Sequence, residues 1–397
     1  MPLTSGPDLL VAVVTHTLPD TLEPILRALC ADGADPARIV LFHTSAPSPA
    51  ATRAVAELQA QWGVQAVCTP RAMRIGEARQ FLVDQQGPRG FIAFLDDDCV
   101  PLPGWTEAAL AACADGERTA LVYGPRYPVV GAGVGSLIRA METRDSRKLA
   151  LAAAEPQAAV TSPRALCAGG NTIVNVAAAR ELGLTEETFA RTAFEDVDFQ
   201  LRATRRGWRV QFRANLAVDH HDQLGFRALF RKSLQSGRGM AQCARHHGAE
   251  FWSHCRWRPW RTLVSWFAVL AALAVGAALN PWLATAAALP VVLSSAAHHR
   301  ALHGAQLAHR LTFLLVKPVR DLTIALGFLA RYATLGTDRG SSPAPRTTAA
   351  APQSTAPDRA PSADDLTSRA GTTTARTGDQ VGRPGAPGLR AKHVAGL

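Results

Sequence analysis

Short apolar runs alternate with amphipathic stretches through the first 125 residues. Leu9–Val14, Arg38–Phe42, Val64–Cys68 and Phe91–Leu95 have strand length and are bounded by Pro, Gly or polar residues, which predicts four strands. Between them, Thr21–Ala31, Ala50–Trp62 and Gly76–Gln85 repeat apolar residues at helical spacing, the pattern of helices with one buried face. This alternation predicts an α/β domain whose parallel strands are covered by helices on both faces. Ligands of such sheets sit beyond the carboxyl ends of the strands. From Gly124 to Gly225 the pattern loosens into Gly-rich and charged segments, so the second half is expected to be a more mixed α+β arrangement. Phe226–His247 reads as a basic helix.

Thr262–Ala297 carries no charged residue over 36 positions. A bilayer core takes roughly 20 apolar residues per helix, so the length suits a membrane hairpin, with its bend at Asn280-Pro281. The other reading is a buried helical hairpin of a soluble domain. Trp252, Trp257, Trp260 and Trp266 lie among Arg256, Arg258 and Arg261, and His and Arg return between His298 and Arg310. Aromatic and basic flanks mark the headgroup level and the cytoplasmic side, so a multi-pass membrane protein with its N-terminal domain in the cytoplasm is expected. Leu311–Leu335 is apolar but holds Lys317, Pro318, Arg320, Asp321 and Arg331, which predicts a helix lying in the interface. After Gly336 the composition turns to Pro, Ala, Thr, Ser and Gly, and disorder is expected. The expected organisation is a folded domain over 1–250, hairpin and interfacial helix over 251–336, and a tail over 337–397.

Charge narrows the partners. The chain carries a net charge of +10, with arginines crowded between Arg202 and Arg261, and such charge attracts nucleic acid, anionic lipid or phosphorylated substrates. It shows no zinc finger, helix-turn-helix or aromatic RNA-binding motif, and the basic stretch runs directly into the apolar segment. Lipid or phosphate is therefore favoured, and nucleic acid is not expected. Seven cysteines stand at irregular spacing without a CxxC pair, which argues against a disulfide framework or a zinc site and for a reducing, cytosolic setting. No basic region precedes Leu9–Val14, so that run reads as a strand rather than a signal peptide.

The strongest chemical feature is Asp96-Asp97-Asp98, directly after the fourth apolar run. Three adjacent carboxylates repel one another unless a positive charge sits among them. On an extended segment Asp96 and Asp98 would share a face and can converge on one hard divalent cation; otherwise the run is an acidic surface turn. Glu195-Asp196-Val197-Asp198 can supply a general base or form the charged first turn of a helix. Gly169-Gly170-Asn171 permits a close approach to ligand or a tight turn. His220 and His221 can ligate metal or be ordinary polar residues.

Taken in order, these elements resemble the family 2 glycosyltransferases of the GT-A fold, over about Leu9 to Gly239. Gly76-Glu77-Ala78-Arg79 is similar to the family's G-x-A-R-N segment, with Gln80 in place of Asn, and Phe94–Trp105 is similar to its aspartate motif with a Pro-Gly-Trp continuation. Cys167–Asn171, Glu195–Asp198 and the Arg202…Gly207-Trp208 spacing match later motifs. The resemblance implies a GT-A nucleotide-sugar-binding domain with a mixed central sheet, followed by the membrane hairpin. It implies a nucleotide-sugar donor and Mn²⁺ or Mg²⁺ held by Asp96, Asp98 and His220, with His221 a near alternative. Thr15, Arg79, Asp96, Asp97, Gly169, Gly170 and Asn171 then fall on the donor side. Asp196 becomes the general base with Glu195 beside it, and Gln235 and Arg238 fall on the acceptor or diphosphate side. The implied activity is inverting transfer of a sugar to a lipid-linked or cell-envelope glycan acceptor.

Two departures shape the reading. Members usually carry an Asp-Asp-Gly-Ser run after the second strand, whose first Asp reads the base; here Leu41–Ser45 has no acid, so uridine is not implied. Processive members carry Q-x-x-R-W, whereas Gln235…Arg238 is followed by Gly239, which points to transfer of one sugar at a time. A processive polysaccharide synthase, an inactive membrane scaffold of the same fold and a metal-dependent nucleotidyltransferase remain as alternatives.

Overall fold

The computed structural model describes residues 8–18, 20–46, 48–86, 90–114, 118–129, 133–144, 159–161, 167, 169–184, 193–255, 257–279, 282 and 306–335. The tail expected over 337–397 lies outside them. The first strands are β1 (Leu9–Thr15), β2 (Ile39–His43), β3 (Gln65–Cys68) and β4 (Phe91–Asp96), joined through α1 (Leu22–Ala31), α2 (Pro49–Trp62) and α3 (Ile75–Gln85). Local chemistry sets these boundaries. The Ser48 side chain accepts from the Ala51 N–H ahead of α2, Pro49 fills the first turn, and Gly63 ends the helix in the left-handed region, where glycine carries no Cβ penalty.

Strand β1 is buried along its whole length. Leu10, Ala12 and Val14 pack into one core cluster, whereas Leu9, Val11 and Val13 pack into the other. The two-residue alternation of a strand thus feeds hydrophobic layers on both faces of the sheet.

The chain continues through β5 (Cys99–Pro101), α4 (Trp105–Ala114), β6 (Thr119–Tyr123), β7 (Arg126–Pro128), α5 (Val134–Arg144), β8 (Ala159–Thr161), β9 (Asn171–Asn175), α6 (Val176–Leu182), α7 (Glu195–Arg205), β10 (Arg209–Arg213) and β11 (Val218–His220). The main sheet runs β3-β2-β1-β4-β9-β6-β10-β8. Its first four strands are parallel, and β9 lies antiparallel between β4 and β6, so the central sheet is mixed. A second sheet, β5-β11-β7, pairs Cys99 with His220 and His220 with Pro128.

The C-terminal helices are α8 (Phe226–His247), α9 (Ala249–His254), α10 (Pro259–Leu279) and α11 (Leu307–Leu335). Among the described residues, α10 is the one helix long and apolar enough to cross a membrane, by length and composition, with a mean hydropathy of 1.3 over Pro259–Gly276. The expected bend at Asn280-Pro281 and the second arm of the hairpin lie outside the described residues, apart from Trp282.

Helix α11 accounts differently for the charges that had suggested an interfacial helix. Lys317 is buried, and Lys317 and Arg320 both pair with Glu142 of α5. Three- and four-residue spacing puts 317, 320 and 321 on one face, turned inward, while Leu311, Leu315, Leu326 and Leu329 are exposed. Glycines let α11 lie close to α8. A Cβ on Gly327 would overlap the Leu234 carbonyl, and one on Gly237 would overlap that of Ile324.

Candidate active site

The acids converge at the carboxyl end of β4, next to β1. Asp97 and Asp98 form a turn rather than a continuation of the strand, and this sends the three side chains different ways. Asp97 faces β1, where it accepts a 2.7 Å hydrogen bond from the Thr15 hydroxyl. Burial raises its carboxyl above the usual range against that hydrogen bond, and the neighbouring Asp98 and Asp96 add to the rise. Asp98 faces β11, with its Oδ2 3.3 Å from His220 Nε2, while its carbonyl accepts the His221 N–H at 2.7 Å. Burial works to raise the Asp98 carboxyl, but the His220 hydrogen bond and charge, aided by Arg126, outweigh it and hold the group well below the carboxylate range.

Asp96 takes a third direction. The expectation that it shares an ion with Asp98 assumed an extended segment, and the turn changes that geometry. Asp96 accepts from Arg79 Nη2 at 2.8 Å, and among the described residues the group able to hold a metal is Asp98, Cys99 and His220, whose ligand atoms lie within 4.8 Å of one another. Cys99 is absent from the sequence-based set, although its place beside Asp98 was a usable signal. Burial drives its thiol well above the ordinary value, so the group presents one carboxylate and one imidazole to a hard cation, with an un-ionised thiol alongside.

Arg79, on α3, joins the two acidic segments. It bonds Asp96 and lies 3.9 Å from Glu195 at the start of α7, with its guanidinium over the Phe94 ring at 5.6 Å. The Asp196 carboxylate accepts from the Gly169 N–H and from the Val197 N–H, so both oxygens are oriented by backbone donors. Gly170 is required here. Gly170 has φ +94°, and a Cβ on it would stand 2.5 Å from Asp96 Oδ2 and 3.1 Å from Arg126 Nη1. A recess beside them is lined by Arg79, Phe94, Thr172, Glu195, Asp196 and Phe199.

Three sequence candidates sit elsewhere. The Asn171 side chain is buried, accepting from Trp105 Nε1 at 3.1 Å and donating to the Leu216 carbonyl at 2.8 Å; it ties α4 to the β10–β11 connection. Gln235 and Arg238 are exposed on α8, while Gly237 and Gly239 form its buried face. Asp198 of the second acidic segment is fully buried, held by Arg202 Nε at 2.7 Å and His247 Nε2 at 2.8 Å. That contact with α8, 49 residues away, leaves no mark in the local sequence.

Glu195 gives a direct test of this electrostatic picture. Burial first, then Asp196, push its carboxyl up to about 7 against the pull of Arg79. The folded chain therefore keeps a proton that the unfolded chain has released, and stability falls as pH rises from the ordinary carboxyl range towards 7. In metal-free buffer, the stability gap between Glu195→Gln and the unmutated protein is expected to widen in the variant's favour by about 2 kcal/mol between roughly pH 5 and pH 8. Urea melts at the two pH values check this; a gap that stays constant would show that Glu195 titrates normally.

Such a constellation, with clustered acids at a strand end, a double-glycine turn and a second acidic pair on a helix N-terminus, has its counterpart in sequence. Residues 91–298, just over half of the chain, match the glycosyl transferase family group 2. The chain belongs to this family and is a glycosyltransferase. No curated protein gives a significant sequence match. Among solved structures, the glycosyltransferase resembles the mannosyltransferase PcManGT from Pyrobaculum calidifontis, determined in complex with GDP-Man and Mn²⁺. The TM-score is 0.50 at 14% identity, covering 82% of this chain and 88% of that one. GalNAc-T7, determined with UDP, GalNAc and Mn²⁺, aligns at a TM-score of 0.44 and 15% identity over 61% of this chain and 51% of its own. At 14% identity the likeness to PcManGT is one of fold, and it agrees with the mixed GT-A-like sheet.

Proposed function

We propose that this glycosyltransferase moves one sugar at a time, with inversion, from a nucleotide-sugar donor to a lipid-linked or cell-envelope glycan acceptor at a membrane. The observation that carries the reading is the arrangement at the Gly169-Gly170 turn, where Asp196 accepts from the Gly169 N–H and Asp96 lies against Gly170, with the Asp98–His220 pair beyond the end of the same strand as Asp96. The mannosyltransferase of similar fold binds GDP-Man and Mn²⁺, which supports a nucleotide sugar and a divalent metal here. Mn²⁺ or Mg²⁺ fits Asp98 and His220, and when bound it would supply positive charge for the departing diphosphate.

The remaining chemistry falls to the chain's own groups. The acceptor hydroxyl oxygen bonds to the anomeric carbon as its proton passes to Asp196. The bond from that carbon to the diphosphate oxygen breaks, and its electron pair leaves with the diphosphate. Backbone N–H groups orient the Asp196 oxygens, and Arg79 keeps Asp96 and Glu195 from repelling each other across the recess. At the ends of β1 and β2, His16 Nδ1 lies 3.4 Å from the Thr44 hydroxyl, so an imidazole and a hydroxyl stand near the place of the family's base-reading acid. Gly239, buried where processive members carry Trp, supports single transfer. α10 serves as anchor. Arg258 lies over the rings of Trp252 and Trp260 at 4.9 and 5.8 Å, an aromatic-basic cluster suited to the cytoplasmic headgroup level.

Screening the purified protein against a panel of GDP-, UDP- and dTDP-sugars with Mn²⁺, Mg²⁺ or EDTA tests the proposal. Turnover of one donor class is expected with metal and none in EDTA, with recovery when Mn²⁺ is restored. Full turnover in EDTA would remove the metal from the reading, and a polymeric product would favour the processive alternative.

A further inference from the structure

The metal-holding group combines donors of two kinds, and the small sheet fixes how they meet. Cys99 and His220 are directly opposed across the antiparallel β5–β11 pair, so their side chains leave the same face of the ribbon. The hydrogen bond from the His221 N–H to the Asp98 carbonyl, at 2.7 Å, carries the pairing one step further and holds Asp98 at the edge of this pair. Its carboxylate has an oxygen towards each of the other two donors: Oδ1 accepts from Cys99 Sγ at 3.4 Å, and Oδ2 lies 3.3 Å from His220 Nε2. Ligands about 2.0–2.3 Å from a tetrahedral ion are roughly 3.3–3.8 Å from one another, and both separations fall in that range.

Two classes of ion would use this group differently. Mn²⁺ or Mg²⁺ is hard and leaves the thiol un-ionised; an octahedral ion on Asp98 and His220 keeps open positions for two diphosphate oxygens. Zn²⁺ is softer, binds the same oxygen and nitrogen donors more strongly than Mn²⁺ does, and adds thiolate sulfur. Three side chains then leave a tetrahedral ion one open position, where a chelated diphosphate needs two. The Asp98 side chain is 29% exposed, whereas Cys99 is buried, so an ion reaches the thiol past the carboxylate. Arg126 and Arg139 act electrostatically on Asp98, and both are fixed cations that either ion meets alike; the thiol is what separates the two.

We infer that Asp98, Cys99 and His220 form an inhibitory site for Zn²⁺ or a similarly thiophilic ion, which shuts the enzyme by excluding Mn²⁺ and the donor's diphosphate. On binding, the Cys99 S–H loses its proton to solvent and the sulfur donates a lone pair to the ion, with no change of oxidation state. This deepens the proposed function and rests on its donor–metal reading, to which it adds Cys99 as the residue that admits the inhibitor.

The test uses the full chain in detergent, with Co²⁺ and Zn²⁺ as probes. Co²⁺ takes the same ligands as Zn²⁺ and reports a thiolate among them by charge-transfer absorption in the near ultraviolet. That absorption is expected in the unmutated protein, should vanish when Zn²⁺ displaces Co²⁺, and should be missing in Cys99→Ser. Zn²⁺ should bind at least about a hundredfold more tightly than Mn²⁺, and the ratio of the two affinities should fall by about as much in Cys99→Ser. The strengthening of GDP or UDP binding by Mn²⁺ should be lost once Zn²⁺ takes the site. Cys68→Ser, which removes the exposed thiol of β3, should keep every one of these signals. X-ray absorption at the zinc edge needs no substitution at Cys99, so it decides the point even where Cys99→Ser does not fold; one sulfur at about 2.3 Å is expected. A zinc shell of nitrogen and oxygen alone, or thiolate absorption that survives Cys99→Ser, overturns the site. Nucleotide bound as tightly with Zn²⁺ as with Mn²⁺ overturns the inhibition. Thiolate–Co²⁺ absorption in an unmutated protein that does not bind nucleotide with Mn²⁺ would uphold the zinc ligands and strike the donor–metal reading instead.

Discussion

Asp98→Ala is expected to lower turnover by at least ~10³-fold and to abolish the strengthening of nucleotide binding by Mn²⁺, because it removes the one carboxylate of the group that can hold the metal. His220 and an un-ionised Cys99 are poor ligands for a hard cation on their own. Asp196→Asn is the contrasting variant. It keeps shape and the capacity to accept one backbone N–H but loses proton affinity, so kcat should fall by ~10²–10⁴ while nucleotide–Mn²⁺ binding survives. The two differ in a way that loss of folding cannot mimic, since one removes donor binding and the other spares it. Isothermal titration of nucleotide with and without Mn²⁺, alongside kcat, separates them. Asp98→Ala with intact metal-dependent binding would displace the ion from Asp98, and a fully active Asp196→Asn would remove Asp196 as the base.

The parallel half of the fold is legible because its signals are local. Each of the first four strands is an apolar run closed by turn residues, and α2 carries its own cap in Ser48-Pro49 and its own stop in Gly63. The small β5-β11-β7 sheet is not legible in the same way. Its strands have three residues each, too short for any periodicity, yet its register is what brings His220 to Asp98. The aspartates were visible as chemistry but not as geometry. A turn at 97–98 cannot be told from an extended segment by residue type, and on that turn depends whether Asp96 faces the ion or Arg79. Long-range partners left still less trace. Arg126, Arg139 and His247 are ordinary basic residues in sequence, and only packing gives them neighbours. The charges of α11 suggested a surface helix because Glu142, which receives them, lies far away in the chain.

Gly239→Val is expected to cost ~3 kcal/mol or more and to reduce kcat, although glycine in a helix interior is normally the weaker choice. A Cβ at this position would overlap the backbone carbonyl of Ala193, and backbone cannot rotate aside as a long side chain can. Ala193 precedes Phe194, which already holds φ +81°, and Phe194 leads directly into Glu195 and Asp196. The same helix grips this corner twice more: Cys243 Sγ lies 3.7 Å from the Phe194 carbonyl, and His247 Nε2 lies 2.8 Å from Asp198. Pressure at 239 is therefore relieved by moving the N-terminus of α7, which displaces the Asp196 carboxylate from the Gly169 N–H. The loss should appear in kcat more than in nucleotide affinity, since Asp98 and His220 are held by other strands. Arg245→Ala, on the exposed face of the same helix, is the control and should leave the melting temperature nearly unchanged. A Gly239→Val protein that melts and turns over like the unmutated chain would mean that α8 does not position the base.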